Sequence, residues 1–233
     1  MLRKEASWLA RELATLPTDR LSPMLSIGSG AGRFRDGKQP WIENEIYRPL
    51  TARGIEVRHH EFEAAPGVDI AGDLEDETFL GQLEAMRPSS VMCCNVLEHL
   101  ARRTVLTGWL PRLVAPGGYV ILTVPRRFPY HADPIDTLFR PSVDDLAHEL
   151  PGLDLVHGAE VRCGTLFRYL LDAPDARESL VKGVRTSVAR AGRRSSEQPA
   201  AAPKNAPAGS GALGYLVRQT AITCAIFRRP QSD

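Results

Sequence analysis

A run of glycines directly after a short apolar segment constrains this chain more than any other feature. Met24–Ile27 (MLSI) is apolar enough for a buried strand, and residues 28–32 that follow it read GSGAG. Glycine has no Cβ, so its backbone turns tightly and lets another group approach closely. Open α/β sheets build a ligand-binding turn from a strand, a glycine-rich loop and a helix in this order. The sequence therefore predicts an α/β fold with a binding loop near its start.

The rest of the chain alternates strand-like and helix-like segments, which predicts a doubly wound, mostly parallel sheet covered by helices on both faces. The predicted strands are residues 24–27, 55–62, 68–70, 91–96, 119–124, 153–161 and 221–227, and the predicted helices are residues 1–20, 41–51, 76–86, 102–114, 144–150 and 166–171. A chain of 233 residues can bury one core comfortably, so we expect a single domain over residues 1–233.

One stretch breaks this alternation. Residues 182–194 are basic, and residues 195–214 consist largely of Ala, Pro, Gly and Ser. Such a composition buries too little apolar surface to offset the entropy of ordering. We therefore interpret residues 182–214 as a flexible insert before the last strand.

Charge and composition exclude several classes of function. The formal net charge is only +1, so nothing global favours a nucleic acid or an anionic membrane as partner. No apolar run is long enough to cross a bilayer, and the N-terminus lacks the apolar stretch of a signal peptide, so we expect a cytoplasmic protein. The cysteines show neither a disulfide framework nor zinc-ligand spacing, which predicts reduced, buried thiols and no metal site. They are Cys93, Cys94, Cys163 and Cys224.

The spacing of the glycines indicates what the loop binds. The loop reads G-x-G-x-G, whereas a dinucleotide fingerprint reads G-x-G-x-x-G, so it suits a nucleoside without a pyrophosphate. A nucleoside site on this fold also needs a carboxylate at the end of the second strand for the ribose. Glu61 lies there and Glu63 is the alternative, although either residue can equally be a solvated charge at a strand end. Asp73, after the third strand, can accept from an adenine amino group.

Five segments occur in an order that resembles a known family. They are LSIGSGAGRF (residues 25–34), GVDIAGDL (67–74), NVLEHL (95–100), PGG (116–118) and VPRRFPYHADPIDTLFR (124–140). Together they resemble class I S-adenosylmethionine-dependent methyltransferases of the methyltransferase type 11 kind, over roughly residues 20–160.

The resemblance implies a Rossmann-like, seven-stranded sheet whose last strand is reversed, with S-adenosylmethionine as cofactor. The residues that it assigns to the cofactor are Gly28, Ser29, Gly30 and Gly32 beside the methionine moiety, Glu61 at the ribose, Asp73 at the adenine and Asn95 near the transferring methyl group. The sequence departs from the family pattern at Arg58-His59-His60, because the family has a plain apolar run before its acidic residue.

The acceptor is expected after the fifth strand, because ligands bind beyond the carboxyl ends of such strands. His131 lies in this segment and has a suitable pKa to take a proton from a hydroxyl acceptor, with Asp136 orienting it. The structural alternative is that His131 fixes a loop while Asp136 pairs with Arg140. Asp133 lies between them, but the spacing of these residues matches no metal motif.

Three further groups have two interpretations each. Glu98-His99 is either an acid/base pair or a helix start beside the cofactor, and the family pattern favours the second. The basic residues Arg33, Arg35 and Lys38 form either a solvated face or a grip on a carboxylate. The N-terminal helix packs on the sheet, closes over the cofactor as a lid, or contacts a second copy in a homodimer.

The predicted function is an enzyme that transfers a methyl group to the oxygen of a small hydroxylated acceptor or a saccharide. The alternatives are an NAD(P)-dependent oxidoreductase on the same sheet and a non-catalytic S-adenosylmethionine-binding protein. The oxidoreductase is disfavoured by the glycine spacing and because Gly30 and Glu61 lie farther apart than the roughly 20 residues of the dinucleotide motif.

Overall fold

The computed structural model describes residues 1–131, 135–168 and 217–231. These residues form a seven-stranded sheet. Its strands are β1 (Met24–Ile27), β2 (Val57–Glu61), β3 (Ile70–Ala71), β4 (Ser90–Cys94), β5 (Tyr119–Arg127), β6 (Asp154–Thr165) and β7 (Gln219–Arg228). Their order across the sheet is β3-β2-β1-β4-β5-β7-β6. The chain thus starts in the middle of the sheet, extends to one edge, and returns to build the other half.

Helices lie between most consecutive strands, as the sequence predicts, but the N-terminal helix predicted over residues 1–20 ends at Thr15, two residues before Pro17. They are α1 (Arg3–Thr15), α2 (Pro40–Ile42), α3 (Arg48–Ala52), α4 (Glu77–Ala85), α5 (Arg103–Leu113) and α6 (Val143–Glu149). The predicted helix over residues 41–51 is less regular than expected, since a π-helical segment, Glu43–Tyr47, separates α2 from α3. Residues 166–168 are helical, and the remainder of the helix predicted to end at residue 171 lies outside the described residues.

The direction of the strands confirms the predicted fold class. β1 pairs in parallel with both β2 and β4, and β4 pairs in parallel with β5. β7 runs antiparallel to β5, with Tyr119 opposite Arg228, so the last strand is reversed. Because the carboxyl ends of parallel strands meet at one edge of a sheet, the loops after β1, β2, β4 and β5 emerge side by side.

The sheet is covered on both faces, which the apolar runs in its strands require. One face packs leucines of α4, α5 and α6 against side chains such as Ile27 and Leu122. The residues that alternate with these point to the other face, where Ser26 Oγ lies 2.7 Å from the hydroxyl of Tyr47. The side chain of Thr123 likewise meets α1 on this second face.

The chain divides into two compact units, one comprising Met1–Cys163 and Thr220–Asp233 and the other Gly164–Gln219. The first unit contains the candidate site. The insert predicted over residues 182–214 lies outside the described residues, and the single-domain organisation stays a prediction. Among the helices of the described residues, none is both long and apolar enough to cross a membrane.

Two glycines provide a test of this architecture. A Cβ on Gly118, in the turn before β5, would collide with backbone carbonyls, including that of Ala115 at 2.8 Å. A Cβ on Gly108, inside α5, would meet nothing within 4 Å. We expect Gly118→Ala to lower the free energy of unfolding by about 1–3 kcal/mol, because backbone must shift. Gly108→Ala should raise it by about 0.5–1 kcal/mol through helix propensity. Urea unfolding of both variants measures this, and equal effects would contradict the packing described.

Candidate functional site

The glycine loop leaves β1 in a conformation that only glycine adopts easily. Gly28 has a φ of 61° and Gly30 a φ of 76°. A Cβ on Gly28 would collide with Val96, and one on Gly30 would lie 2.6 Å from the ring of Phe34. From the sequence, these glycines are expected because the backbone turns tightly and a ligand approaches closely. The structure gives a different first reason, since neighbouring side chains of the protein already exclude a Cβ at both positions.

Arg35 holds this loop from inside the protein. Its side chain is buried and donates to Ser29 Oγ at 3.2 Å, to the carbonyl oxygen of Gly67 at 2.8 Å and to that of Gly30. The interpretation of the basic run as a solvated face holds for Arg33 and Lys38, which are exposed, and is wrong for Arg35. No local pattern distinguishes these three residues, because the carbonyls that recruit Arg35 come from two separate loops.

Glu61, the last residue of β2, reaches the same loop from the side. Its carboxylate accepts from the backbone N–H of Gly30. Glu63, the alternative acidic residue, is exposed beyond the strand end. The structure therefore brings Glu61 to the glycine loop, as the prediction requires. Asp73 is exposed, and its carboxylate accepts from the N–H of Glu75 at 2.8 Å, which is a local turn contact.

The histidines before Glu61, which depart from the family pattern, are accounted for by packing. The His60 ring is buried beside Phe79 and lies 3.1 Å from the carbonyl oxygen of Gly72. The His59 ring meets Tyr47 edge-on on the opposite face. Burial, followed by the charge of Arg35, lowers the pKa of His59 to about 4, and burial also lowers that of His60. Both rings are thus neutral at pH 7. His60 is a core residue of β2, and His59 is half-buried.

Asn95 follows β4 and meets a residue that the sequence argument missed. Its φ is 53°, and its side-chain amide donates to Glu5 Oε1 at 2.8 Å. Glu5 belongs to α1 and is fully buried. Its carboxylate also accepts from Thr123 Oγ1 at 2.6 Å and from the N–H of Leu2 at 2.8 Å.

These bonds join α1 to the carboxyl end of β4 and to β5. Of the three interpretations of the N-terminal helix, packing on the sheet is observed, and α1 also covers the loop that contains Asn95. The sequence did contain a signal for this. Glu5 lies three residues before Trp8 and four before Leu9, so it occupies the apolar face of the helix.

Glu98 and His99 form a 3₁₀ turn after β4, and Glu98 is in an unusual environment for an acid. Its side chain is 0% exposed, and neither carboxylate oxygen has a hydrogen-bond partner within the described part of the chain. Burial raises the pKa of Glu98 to about 8. His99 Nε2 lies 3.8 Å from Glu98 Oε1, and His99 Nδ1 lies 2.6 Å from the carbonyl oxygen of Ile135.

His131 and Asp136 lie together after β5. The backbone N–H of His131 donates to Asp136 Oδ2 at 3.0 Å, and His131 Nδ1 lies 3.2 Å from the same oxygen. Arg140 donates to both carboxylate oxygens, at 2.7 and 3.1 Å. The ion pair of the structural alternative is therefore present, and Asp136 is also placed to orient His131. Residues 132–134, which include Asp133, lie outside the described residues.

The charges at this pair follow from burial and contacts. Burial lowers the pKa of His131, although the carbonyl of Pro129 and the carboxylate of Asp136 oppose this. Burial raises the pKa of Asp136, but the hydrogen bonds from Arg140 and from backbone amides outweigh it, so the pKa lies below its usual range. At pH 7 the carboxylate is ionised and the imidazole is neutral, the state that a proton acceptor needs.

The topology also brings His131 to the turn after β4. Cys94 in β4 is opposite Thr123 in β5, so the loops that follow these strands are neighbours. The rings of His99 and His131 lie 5.1 Å apart between centroids and are nearly perpendicular. Glu98, His99 and His131 therefore form one cluster, although Glu98-His99 and His131 belong to separate segments of the sequence.

No protein-family model matches this sequence, and no curated protein matches it either. Solved structures do resemble it. An S-adenosylmethionine-dependent methyltransferase from Archaeoglobus fulgidus has a TM-score of 0.51 and 12% identity, over 96% of this chain and 92% of that protein. One from Mesorhizobium loti has a TM-score of 0.45 and 13% identity, over 96% and 98%. One from Anabaena variabilis has a TM-score of 0.49 and 8% identity, over 95% and 82%.

The similarity to the Archaeoglobus fulgidus protein shows that the chain has this Rossmann-like fold. At 12% identity it shows the fold alone. The predicted seven-stranded sheet with a reversed last strand is thereby confirmed. The activity depends on the site residues described above.

The role of Glu5 leads to a stability prediction. Glu5→Gln keeps the shape of the side chain but turns one acceptor oxygen into a donor that faces donors of Leu2, Asn95 or Thr123. Because buried polar groups are then left unpaired, we expect the free energy of unfolding to fall by about 1–3 kcal/mol. Urea unfolding measures it. The matched control is Glu84→Gln, which removes the surface ion pair with Arg112 and should cost less than about 1 kcal/mol. Similar losses of unfolding free energy in both variants would show that the hydrogen bonds of Glu5 do not fasten α1 to the sheet.

Proposed function

We propose that this chain is an S-adenosylmethionine-dependent methyltransferase. The observation that carries the proposal is the contact between the carboxylate of Glu61 and the amide of Gly30, at adjacent carboxyl ends of β2 and β1. A carboxylate beside a glycine loop at this edge of an α/β sheet is the arrangement that binds the ribose of a nucleoside. The Rossmann-like fold, whose relatives include methyltransferases, supports the same proposal.

The residues present fit such a cofactor. Two glycines at positive φ leave the loop without side chains at positions 28 and 30, and a half-buried carboxylate lies beside it. In this proposal Gly28, Ser29, Gly30 and Gly32 line the methionine moiety, Glu61 binds the ribose, Asp73 the adenine and Asn95 the region of the methyl group. When bound, S-adenosylmethionine supplies a methyl group on a sulfonium that a nucleophile can attack. The protein contributes chiefly by positioning the two reactants.

The acceptor in this proposal is a hydroxyl group of a small metabolite or a saccharide. Its support is the position of His131 beyond the carboxyl end of β5, beside the ionised carboxylate of Asp136. A hydroxyl must lose its proton as the new bond forms, and loss of that proton depends on His131. Asp136 is a positioning residue, since it accepts hydrogen bonds from the backbone of the loop and from Arg140.

The cofactor site is tested by Glu61→Ala. Removing charge-assisted hydrogen bonds worth about 1.5–3 kcal/mol should weaken S-adenosylmethionine binding roughly 10- to 150-fold in calorimetry. The matched control is Glu63→Ala, which removes an exposed carboxylate two residues away and should leave the affinity unchanged. If Glu61→Ala lowered the affinity for S-adenosylmethionine by less than about threefold, the assignment of Glu61 to the ribose would be wrong.

The acceptor side is tested by His131→Ala. Turnover of a hydroxyl acceptor found by transfer of a labelled methyl group should fall by about 10²–10⁴, the usual effect of losing a positioned base. Cofactor affinity should stay unchanged, because Glu61 and the glycine loop follow other strands. His148→Ala is the control, since His148 is an exposed histidine on α6. An increase in the Michaelis constant with an unchanged turnover number would make His131 a binding residue only.

A further inference from the structure

The cluster of Glu98, His99 and His131 has the composition and spacing of a metal site. Each side chain offers one ligand atom, and these atoms all lie within 4.8 Å of one another. Glu98 and His99 come from the turn after β4, and His131 comes from the loop after β5. The two loops are held side by side by the β4–β5 ladder and by the backbone N–H of Thr137, which donates to the carbonyl oxygen of Glu98 at 2.9 Å.

Glu98 supplies an observation that is independent of the spacing. Its side chain is fully buried and faces His99, yet neither of its oxygens has a hydrogen-bond partner among the described residues. A buried carboxylate without a partner is costly, and proteins pair such groups with a cation or with donors. Arg140 is close by, but its hydrogen bonds go to Asp136 and to the carbonyl oxygen of Phe139. A bound cation would provide the partner that Glu98 lacks.

The two histidines are held in the way that metal-ligating histidines are held. His99 Nδ1 donates to the carbonyl oxygen of Ile135 at 2.6 Å, so its Nε2 keeps a lone pair, 3.8 Å from Glu98 Oε1. His131 Nδ1 lies 3.1 Å from the carbonyl oxygen of Pro129 and 3.2 Å from Asp136 Oδ2, so its lone pair is also left on Nε2. An oxygen partner on one ring nitrogen fixes the tautomer and raises the basicity of the other.

We propose that Glu98, His99 and His131 bind one divalent transition-metal ion, and that Zn²⁺ fits this donor set. Two imidazoles and one carboxylate, with a remaining position for water or substrate, make up the ligand set of catalytic zinc sites. With ligands about 2.1 Å from the ion, tetrahedral geometry places ligand atoms about 3.4 Å apart. The ligand atoms, which lie within 4.8 Å of one another, therefore need to approach by up to about 1.4 Å on binding the ion, and the partly exposed His131 is the ligand that can move.

The ion adds a role to this part of the protein, a step that rests on the proposed function. A hydroxyl coordinated to a divalent ion is more acidic than a free one. With such an ion bound, the O–H bond of the acceptor would break and its proton would pass to solvent water. The electron pair left on the oxygen would form the bond to the methyl carbon as the carbon–sulfur bond of the sulfonium breaks, leaving a neutral thioether. In the metal-bound protein, His131 therefore promotes loss of the proton by holding the ion and not by accepting the proton itself.

The site is tested by titrating Zn²⁺ into the full-length protein, after dialysis against a chelator and without cofactor or acceptor. Calorimetry should show one site in the wild type. Glu98→Gln and His99→Ala should each weaken binding by at least about tenfold, as the loss of a ligand requires. His148→Ala, the control on the exposed face of α6, should bind like the wild type. No binding by the wild type, or unchanged affinity in Glu98→Gln and His99→Ala, would overturn the proposal.

Thermal unfolding distinguishes loss of a ligand from loss of the fold. Glu98→Gln replaces an unpaired buried carboxyl group with a neutral group of the same shape, so without metal it should unfold at nearly the same temperature as the wild type. Zn²⁺ should raise the unfolding temperature of the wild type by binding the native state, and at the same zinc concentration it should raise that of Glu98→Gln by less. Equal zinc-dependent shifts in both proteins would place the metal elsewhere and overturn the assignment.

The outcome separates this proposal from the methyltransferase proposal. Zinc binding at the cluster without methyl transfer would leave the metal site standing and refute the proposed activity. Methyl transfer by a protein that binds no zinc would refute the metal site and support the proposed activity. Transfer that continues at the same rate after chelation, in a protein that does bind zinc at Glu98, would overturn the role of the ion in removing the proton.

Discussion

The candidate site depends on one constraint, which is that β1, β2, β4 and β5 run in the same direction. The parallel pairing of β1 with both of its neighbours aligns their carboxyl ends, so four loops of very different sequence position emerge at one edge. Two of the contacts at the site follow directly from this alignment. Glu61 meets Gly30 because β2 lies beside β1, and Glu98 meets His131 because β4 lies beside β5.

Three carboxylates at this edge illustrate how environment decides function. Glu61 accepts from the amide of Gly30, and it remains half-buried, so a ligand can reach it. Glu5 is fully buried and accepts from three donors, which makes it a structural group that fastens α1 to the sheet. Glu98 is equally buried and has no such donors among the described residues. Since burying a polar group without a hydrogen-bond partner is unfavourable, and ionising it there more so, Glu98 is the acidic residue whose environment favours binding a further partner.

Much of the fold could be predicted from sequence, because the local spacing of apolar residues indicates the order of strands and helices. The strand Met24–Ile27 and the helices around residues 77–85 and 103–113 lie where the sequence places them, within a few residues. The reversed direction of β7 was predicted only through the family resemblance, since an apolar run carries no information about direction. The position of Glu61 at the end of β2 could also be predicted, because a strand end is a local feature.

Other parts of the site could not be predicted because they depend on contacts between distant segments. Arg35 looks like its exposed neighbours Arg33 and Lys38, and only the carbonyls of Gly30 and Gly67 explain why it is buried. The cluster of Glu98, His99 and His131 requires knowing that β4 and β5 are adjacent. Glu5 is the intermediate case, since a charged residue on an apolar helix face signals burial but does not name its partners.

The way the glycine loop is held explains how the site can accept a ligand without collapsing. Glu61 contacts the loop through the N–H of Gly30, whereas Arg35 contacts it through the carbonyl of Gly30 and the hydroxyl of Ser29. In the proposed function, a ribose bound by the carboxylate of Glu61 would compete with only the first contact. Arg35 is buried and is also tied to Gly67, so it keeps the loop in place while Glu61 changes partner. Because Arg35 holds the loop independently of Glu61, the hydrogen bond between Glu61 and Gly30 could be replaced by one to the ligand with little reorganisation of the loop.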